Sequence, residues 1–229
     1  MRDVGVFWGG DTFAVSFGVR VGRVCYLTAH RRYAESRKVE AAPTIDGVLD
    51  DAHWQRTSDL TDLMVFSFDR KPSVKTDAWV AHDAEHLYFA ARCHEPHVDQ
   101  LQTKVTVHDG AVWNDDGVEL LFDVTNERES FVQWLVNAAG VVHDTAGPDS
   151  SWSGPMDHAV GRESGAWTIE IAIPWTSLGM EAPADGRRVC LQFVRNRLAG
   201  RGSQEILQWA PSYRTNLNPA MFGELTFRE

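Results

Sequence analysis

The run Trp113-Asn-Asp-Asp-Gly-Val-Glu119 places an indole and three carboxylates at the entrance of a strand-like apolar stretch that ends at Asp123. Two kinds of chemistry use such a set. Glycoside hydrolysis needs two carboxyl groups about 5–9 Å apart across the scissile bond, and Asp115, Asp116 and Glu119 are the acids that invite that reading. Adjacent acids outside any recognisable acid/base motif are instead expected to be solvated or to hold a cation, so no catalytic residue is assigned and the chain is expected not to be an enzyme. The second kind is recognition. Aromatic rings beyond what a core needs tend to stand where flat surfaces meet ligands, and the chain has nine Trp. Trp113 and Trp152 lie in polar loop contexts, the latter in Ser-Ser-Trp-Ser-Gly-Pro, whereas Trp54, Trp134, Trp167, Trp175 and Trp209 sit at alternating or anchor positions and are expected in the core. Gln133, Gln192 and Asn196 fall on strands beside polar neighbours and either line a groove or satisfy backbone groups. Glu119 has an alternative of its own, an inward carboxylate paired with Arg195 or Arg197.

The elements that must carry these residues are strands. Val118, Leu120 and Phe122 alternate against Gly117, Glu119, Leu121 and Asp123, and Val132, Trp134 and Val136 alternate against Phe131, Gln133, Leu135 and Asn137. Each strand therefore sends one row to a core and one mixed row elsewhere. Two further period-2 stretches, Val74 to Asp83 and His86 to Pro96, are joined by a short Asp-Ala-Glu turn and predict a hairpin. Trp167 to Ile173, ended by Pro174, Val189 to Arg195, Glu205 to Trp209 and the terminal Phe-Gly-Glu-Leu-Thr-Phe complete the set. Near the start, Val4 and Val6, then Phe13, Val15, Phe17, Val19 and Val21, flank Gly9-Gly10-Asp11 and predict a hairpin over residues 4–27. The polar segment His30 to Pro43 is expected to be a linker or short helix. The predicted organisation is thus an N-terminal hairpin extension and linker over residues 1–38 and a β-sandwich domain over 39–229. Short strands at regular intervals, with little sustained helical periodicity, give an all-β fold class.

Composition narrows the partners. With 22 basic against 32 acidic residues and a net charge near −10, the surface does not suit nucleic acid or an anionic membrane. No apolar run is long enough to span a bilayer, and the N-terminus lacks the basic start and apolar core of a secretory signal. Cys25, Cys93 and Cys190 share no metal or CxxC spacing, and Cys93 and Cys190 are expected as small buried thiols. None of the nine His has HExxH or zinc-finger spacing.

The order of phrases from Pro43 onward resembles that of family 9 carbohydrate-binding modules, in the DOMON-like β-sandwich superfamily. The phrases are Ile45-Asp-Gly-x-Leu-Asp-Asp-x-x-Trp54, Asp83-x-x-His-Leu-Tyr-Phe-Ala90 with Glu95-Pro96, and Trp113-Asn-Asp-Asp-x-Val-Glu-Leu-Leu-Phe-Asp123. Gln133-x-x-Val-Asn-x-x-Gly140, Trp167-Thr-Ile-Glu-Ile-Ala-Ile-Pro-Trp175 and Pro219-x-x-Phe-Gly-x-Leu-Thr-Phe227 follow. The resemblance implies an antiparallel two-sheet β-sandwich, of immunoglobulin-like or jelly-roll type, that binds a saccharide or polysaccharide without catalysis, outside the cell or in the periplasm, within a polysaccharide-processing system. It also implies roles: Trp113 matches the family's first stacking aromatic, and Glu119 its main polar contact, where a carboxylate accepts adjacent hydroxyls in charge-assisted bonds. Gln133, Gln192, Asn196 and Asn216 would line the groove. Two departures stand out. Asn216 occupies about the place of a second stacking Trp, for which Trp152 is a replacement, and Leu135 occupies that of a basic residue. The main reading needs no cofactor, although the family implies structural calcium, for which the turn acids Asp46, Asp50 and Asp51 are candidates. DOMON-like relatives supply the alternative, a b-type haem held by Met and His in an electron-transfer domain, with Met64, Met156, Met180 and Met221 on offer. A structural sandwich with no small ligand is the third reading.

Overall fold

A computed structural model describes residues 31–67, 70–212 and 215–229 with their side chains, and before them the backbone of three strands. Those strands, β1 (Asp3–Gly9), β2 (Thr12–Val19) and β3 (Arg23–His30), form an antiparallel sheet of their own in that order. The hairpin expected over residues 4–27 is the first part of this meander, with Val4 opposite Phe17 and Val15 opposite Leu27. Gly10, Asp11 and Val21 of that expectation lie outside the described residues, as do the side chains of the three strands, that of Cys25 among them.

The remaining strands make one continuous ladder that curls into two facing layers. They are β4 (Tyr33–Lys38), β5 (Met64–Val65), β6 (Thr76–His82), β7 (His86–His94), β8 (Gly117–Asp123), β9 (Val132–Asn137), β10 (Val142–Ala146) and β11 (Asp157–Glu163). After these come β12 (Ala166–Pro174), β13 (Arg188–Arg197), β14 (Glu205–Gln208) and β15 (Gly223–Arg228). The order is β10-β9-β8-β13-β15-β4-β6-β7-β12-β11, with β14 on β13 and β5 on β14. The ladder is thin at its fold line, where β4 and β6 share only the pairs Arg37–Ala81 and Lys38–His82. There the sheet turns, and Phe89 of β7 meets Phe193 of β13 with ring centroids 5.1 Å apart. Between the layers lies the main core, in which Trp134, Trp167, Trp175 and Trp209 are buried. Trp54 is buried in a second cluster with Trp79 and Tyr88 on the outer side. All five Trp assigned to the interior from sequence are there.

The strand rows alternate as the sequence requires, and the fold is the expected all-β sandwich. Strand β4 is the exception to the reading of its segment. Residues 33–38 are no linker or helix: they pair in parallel with β15 and β6, the parallel contacts in an otherwise antiparallel ladder, and so belong to the sandwich on the far side of the boundary expected at Lys38. Its sequence, Tyr-Ala-Glu-Ser-Arg-Lys, buries only Ala34 and Ser36, which left little apolar signal to read. Strands β10 and β11 were likewise silent in the sequence, because each ends the ladder and faces water on at least one side. The Ile-Asp-Gly turn is held from β12: Glu170 Oε2 accepts from the backbone N–H of Gly47 at 2.8 Å, and its Oε1 from Trp54 Nε1 at 2.8 Å. At Gly47, φ is +86° and a Cβ would come within 2.8 Å of the backbone of Gly161, so only glycine fits.

Candidate functional site

The site is written in strand register. Cross-strand partners share a face, so the row Val194–Glu119–Leu135–His143 runs across β13, β8, β9 and β10 on the side away from the core. The row beneath it is Gln192–Leu121–Gln133–Thr145, and the row above sets Ile206, Asn196, Gly117 and Asn137 side by side. The polar residues picked out of separate phrases are thus brought together diagonally around Glu119. Gly117 keeps that point low, since a Cβ there would sit 2.7 Å from the carbonyl oxygen of Val136.

Glu119 is only 5% exposed and is surrounded by carboxamides. Asn196 Nδ2 donates to Oε1 at 2.6 Å, while Gln133 Nε2 and Asn216 Nδ2 donate to Oε2 at 3.0 Å and 2.7 Å. Burial raises the Glu119 pKa above its ordinary value, and the three amide donors pull against that rise without cancelling it. Arg195 and Arg197, the partners of the alternative reading, belong to the opposite face of β13. There Arg197 holds Glu95 through Nε–Oε2 at 2.6 Å and Nη2–Oε1 at 2.9 Å, and Arg195 approaches the same carboxylate.

Above the carboxylate is an open cavity of about 490 Å³, lined by Glu119, Gln133, Leu135, Thr145, Asn196 and Asn216 and rimmed by Trp113, His143, Gln204 and Leu217. Its volume falls in the range of about 300–1,000 Å³ usual for small-ligand sites. Trp113 is 46% exposed and Leu217 44%, two of the few large apolar side chains left in water among the described residues, and both rim this cavity. The Trp113 indole meets His143 edge-on, centroids 5.3 Å apart, and its backbone carbonyl accepts from Gln204 Nε2 at 2.7 Å. A larger cleft of about 870 Å³ lies between Arg32, Arg56, Lys75 and Asp77, but the one Trp in its wall, Trp79, is buried and offers no open ring.

Two of the seven expected binding residues are elsewhere. Gln192 is wholly buried and clamps the chain passing over it, donating to Ala210 O at 2.6 Å and accepting from Ala210 N at 2.9 Å. Trp152 packs on Trp134, centroids 5.3 Å apart. Trp134 belongs to the core-facing row of β9, so Trp152 stands on the wrong side of the strand to replace a stacking ring. Leu217 is the apolar side chain that the structure puts beside Asn216. It was missed because a lone Leu in a loop carries no pattern. His143 and Thr145 were missed because β10 was.

Asp115 and Asp116, the acids that invited a hydrolytic reading, are buried staples. Asp115 accepts from the backbone N–H groups of Lys104 and Val105, both at 2.9 Å, and Asp116 from Gln102 at 2.8 Å and Leu198 at 2.7 Å. They fasten the Leu101–His108 segment and the end of β13 to the strand entrance. Among the turn acids considered for calcium, Asp46 and Asp51 each spend an oxygen on a backbone N–H, and the three do not converge on one point among the described residues. That donor set falls short of the six to eight oxygens calcium takes. Of the methionines considered for haem, Met156 and Met180 pack against the main core and Met221 is buried. Burial pushes the Cys93 and Cys190 thiols up to about 11, as suits inert core groups.

The sequence profile described as carbohydrate family 9 binding domain-like matches residues 45–229. The chain belongs to this family. The family 9 match starts at the Ile-Asp-Gly turn and takes in every residue of the cavity, while β4 of the same sheet precedes it. Among solved structures, the fold is similar to a family 9 carbohydrate-binding module from Caldicellulosiruptor kristjanssonii in complex with glucose. The TM-score is 0.66 at 15% identity, over 86% of this chain and 96% of that one. The fold is also similar to a family 9 module of the same organism in complex with cellotriose, with TM-score 0.63, 15% identity and coverage of 86% and 94%. No curated protein matches this family 9 chain in sequence.

Proposed function

We propose that this family 9 domain binds a saccharide in the Glu119 cavity and leaves it unchanged. The observation that carries the reading is a half-exposed indole, Trp113, standing beside a buried carboxylate that is already oriented by three amides. The apolar C–H face of a pyranose rests on the ring, and its hydroxyls reach the floor. Gln133, Asn196 and Asn216 each commit one N–H to Glu119. Each amide has a second N–H and a carbonyl oxygen to offer, so the floor can both donate to and accept from sugar hydroxyls. Glu119 is the sole carboxylate among the described residues lining the cavity, whereas hydrolysis requires two. The similarity to modules in complex with glucose and cellotriose supports β-linked glucans as the first ligands to try.

The test is a glycan array probed with the full chain, followed by calorimetry on the best hit. Binding to a related group of glycans, abolished in Trp113→Ala with the fold retained, is the expected result. Silence across the array, or full binding by that variant, would overturn the reading. Family membership further supports a place beside polysaccharide-degrading enzymes, outside the cell or in the periplasm. Fractionation of cells expressing the tagged protein tests the location.

A further inference from the structure

We propose that His108, Asp109 and Asp144 form a site for a divalent transition cation of zinc's kind at the edge of the sheet. The residues come from two segments. Strand β10 ends the ladder, and the loop containing His108 and Asp109 docks along it, the backbone N–H of Asp109 donating to Val142 O at 3.0 Å. His108 and Asp109 are exposed, whereas Asp144 faces the core side of β10 with its side chain only 2% exposed.

The decisive atom is Asp144 Oδ1. The other oxygen of that carboxylate accepts from the backbone N–H of Gly154, but Oδ1 is buried and has no hydrogen-bond partner among the described residues. A buried carboxylate oxygen without a partner is costly and requires a cation, a proton or a water. His108 Nε2 lies 3.4 Å from it without the geometry of a hydrogen bond. That separation is close to the edge, about 3.3–3.4 Å, of a tetrahedron of ligands held about 2.0–2.1 Å from zinc. Asp109 flanks the other ring nitrogen, its Oδ2 lying 3.0 Å from His108 Nδ1 while its Oδ1 accepts from the Asp144 backbone N–H at 3.4 Å. One donor atom from each of the three residues can be chosen so that all lie within 4.8 Å of one another, and a turn of the exposed imidazole is what brings a single nitrogen to face both carboxylates. Two carboxylates and an imidazole are three of zinc's four ligands, with water for the open position on the exposed side. Calcium would need six to eight oxygens, and an imidazole nitrogen is a donor suited to zinc, copper or nickel.

The experiment is calorimetric titration of the EDTA-stripped full chain with ZnCl2 and, separately, with CaCl2. One zinc per chain is expected, with at least a tenfold loss of affinity in His108→Ala. That side chain is 56% exposed, so its removal leaves the fold intact, which circular dichroism checks. Asp109→Asn is expected to lose affinity to a similar degree. Absence of zinc binding, an affinity unchanged in both variants, or uptake of calcium in preference to zinc would each overturn the site. None of these readouts involves a sugar, so the metal site and the saccharide reading stand or fall separately.

Discussion

Asn216 Nδ2 donates to Glu119 Oε2 at 2.7 Å across 97 residues of sequence, and so ties the loop before the last strand to the middle of the site-bearing sheet. The place at which family resemblance anticipated an aromatic ring is therefore occupied by a group that grips the carboxylate instead. Hydrogen bonds to a charged group are worth about 1.5–3 kcal/mol. Asn216→Ala is expected to weaken saccharide binding by about tenfold, since about 1.4 kcal/mol corresponds to that factor, and to lower stability by up to about 1.5–3 kcal/mol as the bond is lost. Calorimetry on the best array hit measures it, and an unchanged affinity would reduce the contact to loop anchoring.

Protonation of Glu119 gives the second prediction. Its carboxyl titrates above the ordinary 4.5 because burial outweighs the three amide bonds. Saccharide affinity should fall as pH is lowered through that raised value, earlier than an ordinary Glu would allow, because the protonated group loses the charge that its partners and the sugar hydroxyls share. Glu119→Gln should bind weakly and without this pH dependence. An affinity flat across the acid range in the native protein would count against Glu119 as the main contact.

The two loop Trp residues separate binding from stability. Trp113 leans on His143 at a half-exposed rim, so Trp113→Ala should remove binding while shifting stability by no more than about 0.5 kcal/mol, as surface changes do. Trp152 rests on core-facing Trp134, so Trp152→Ala should leave affinity in place and cost about 1–3 kcal/mol of stability. Denaturant melts of the two variants beside their binding curves decide the matter, and the assignment fails if the pattern is reversed.

Strand register explains what could be read in advance. Glu119 and Gln133 were legible because each sits in a period-2 strand whose other row is apolar, which fixes the face even when the neighbouring strand is unknown; for Asn196 that row begins with Val189, Leu191 and Phe193 but ends in Arg195 and Arg197. Gln192 shares that face with Asn196, yet Ala210 passes over it and takes both ends of its amide. Such a crossing is a tertiary event that the alternation of β13 cannot show. Edge strands hid the rest. In β10, only Asp144 and Thr145 are buried, so the positions of His143 beside Trp113 and of Asp144 beside His108 had no apolar pattern to announce them. Strand β4 lies inside the ladder between β15 and β6, but with only Ala34 and Ser36 buried it too carries no apolar alternation.

Glu95 provides the last prediction, on stability. Burial by itself would raise its carboxyl pKa, but the Arg197 hydrogen bonds, the backbone N–H of His97 and the charges of Arg197 and Arg195 outweigh burial and hold it below the ordinary value. A carboxyl whose folded-state pKa is depressed contributes stability that is present above the unfolded pKa of about 4.3 and lost as pH falls through the folded value. Removing the acid leaves Arg195, with no exposed side-chain surface, without a carboxylate partner among the described residues, and Arg197 with Glu205 alone at 3.5 Å. Breaking such a buried pair costs about 3–5 kcal/mol, so Glu95→Ala should unfold at markedly lower denaturant at pH 7. The difference from the native protein should shrink as pH drops from the unfolded pKa of about 4.3 down through the depressed folded value. Paired melts at neutral and acid pH test this, and a gap that stays constant would show that lost packing, not charge, sets the cost.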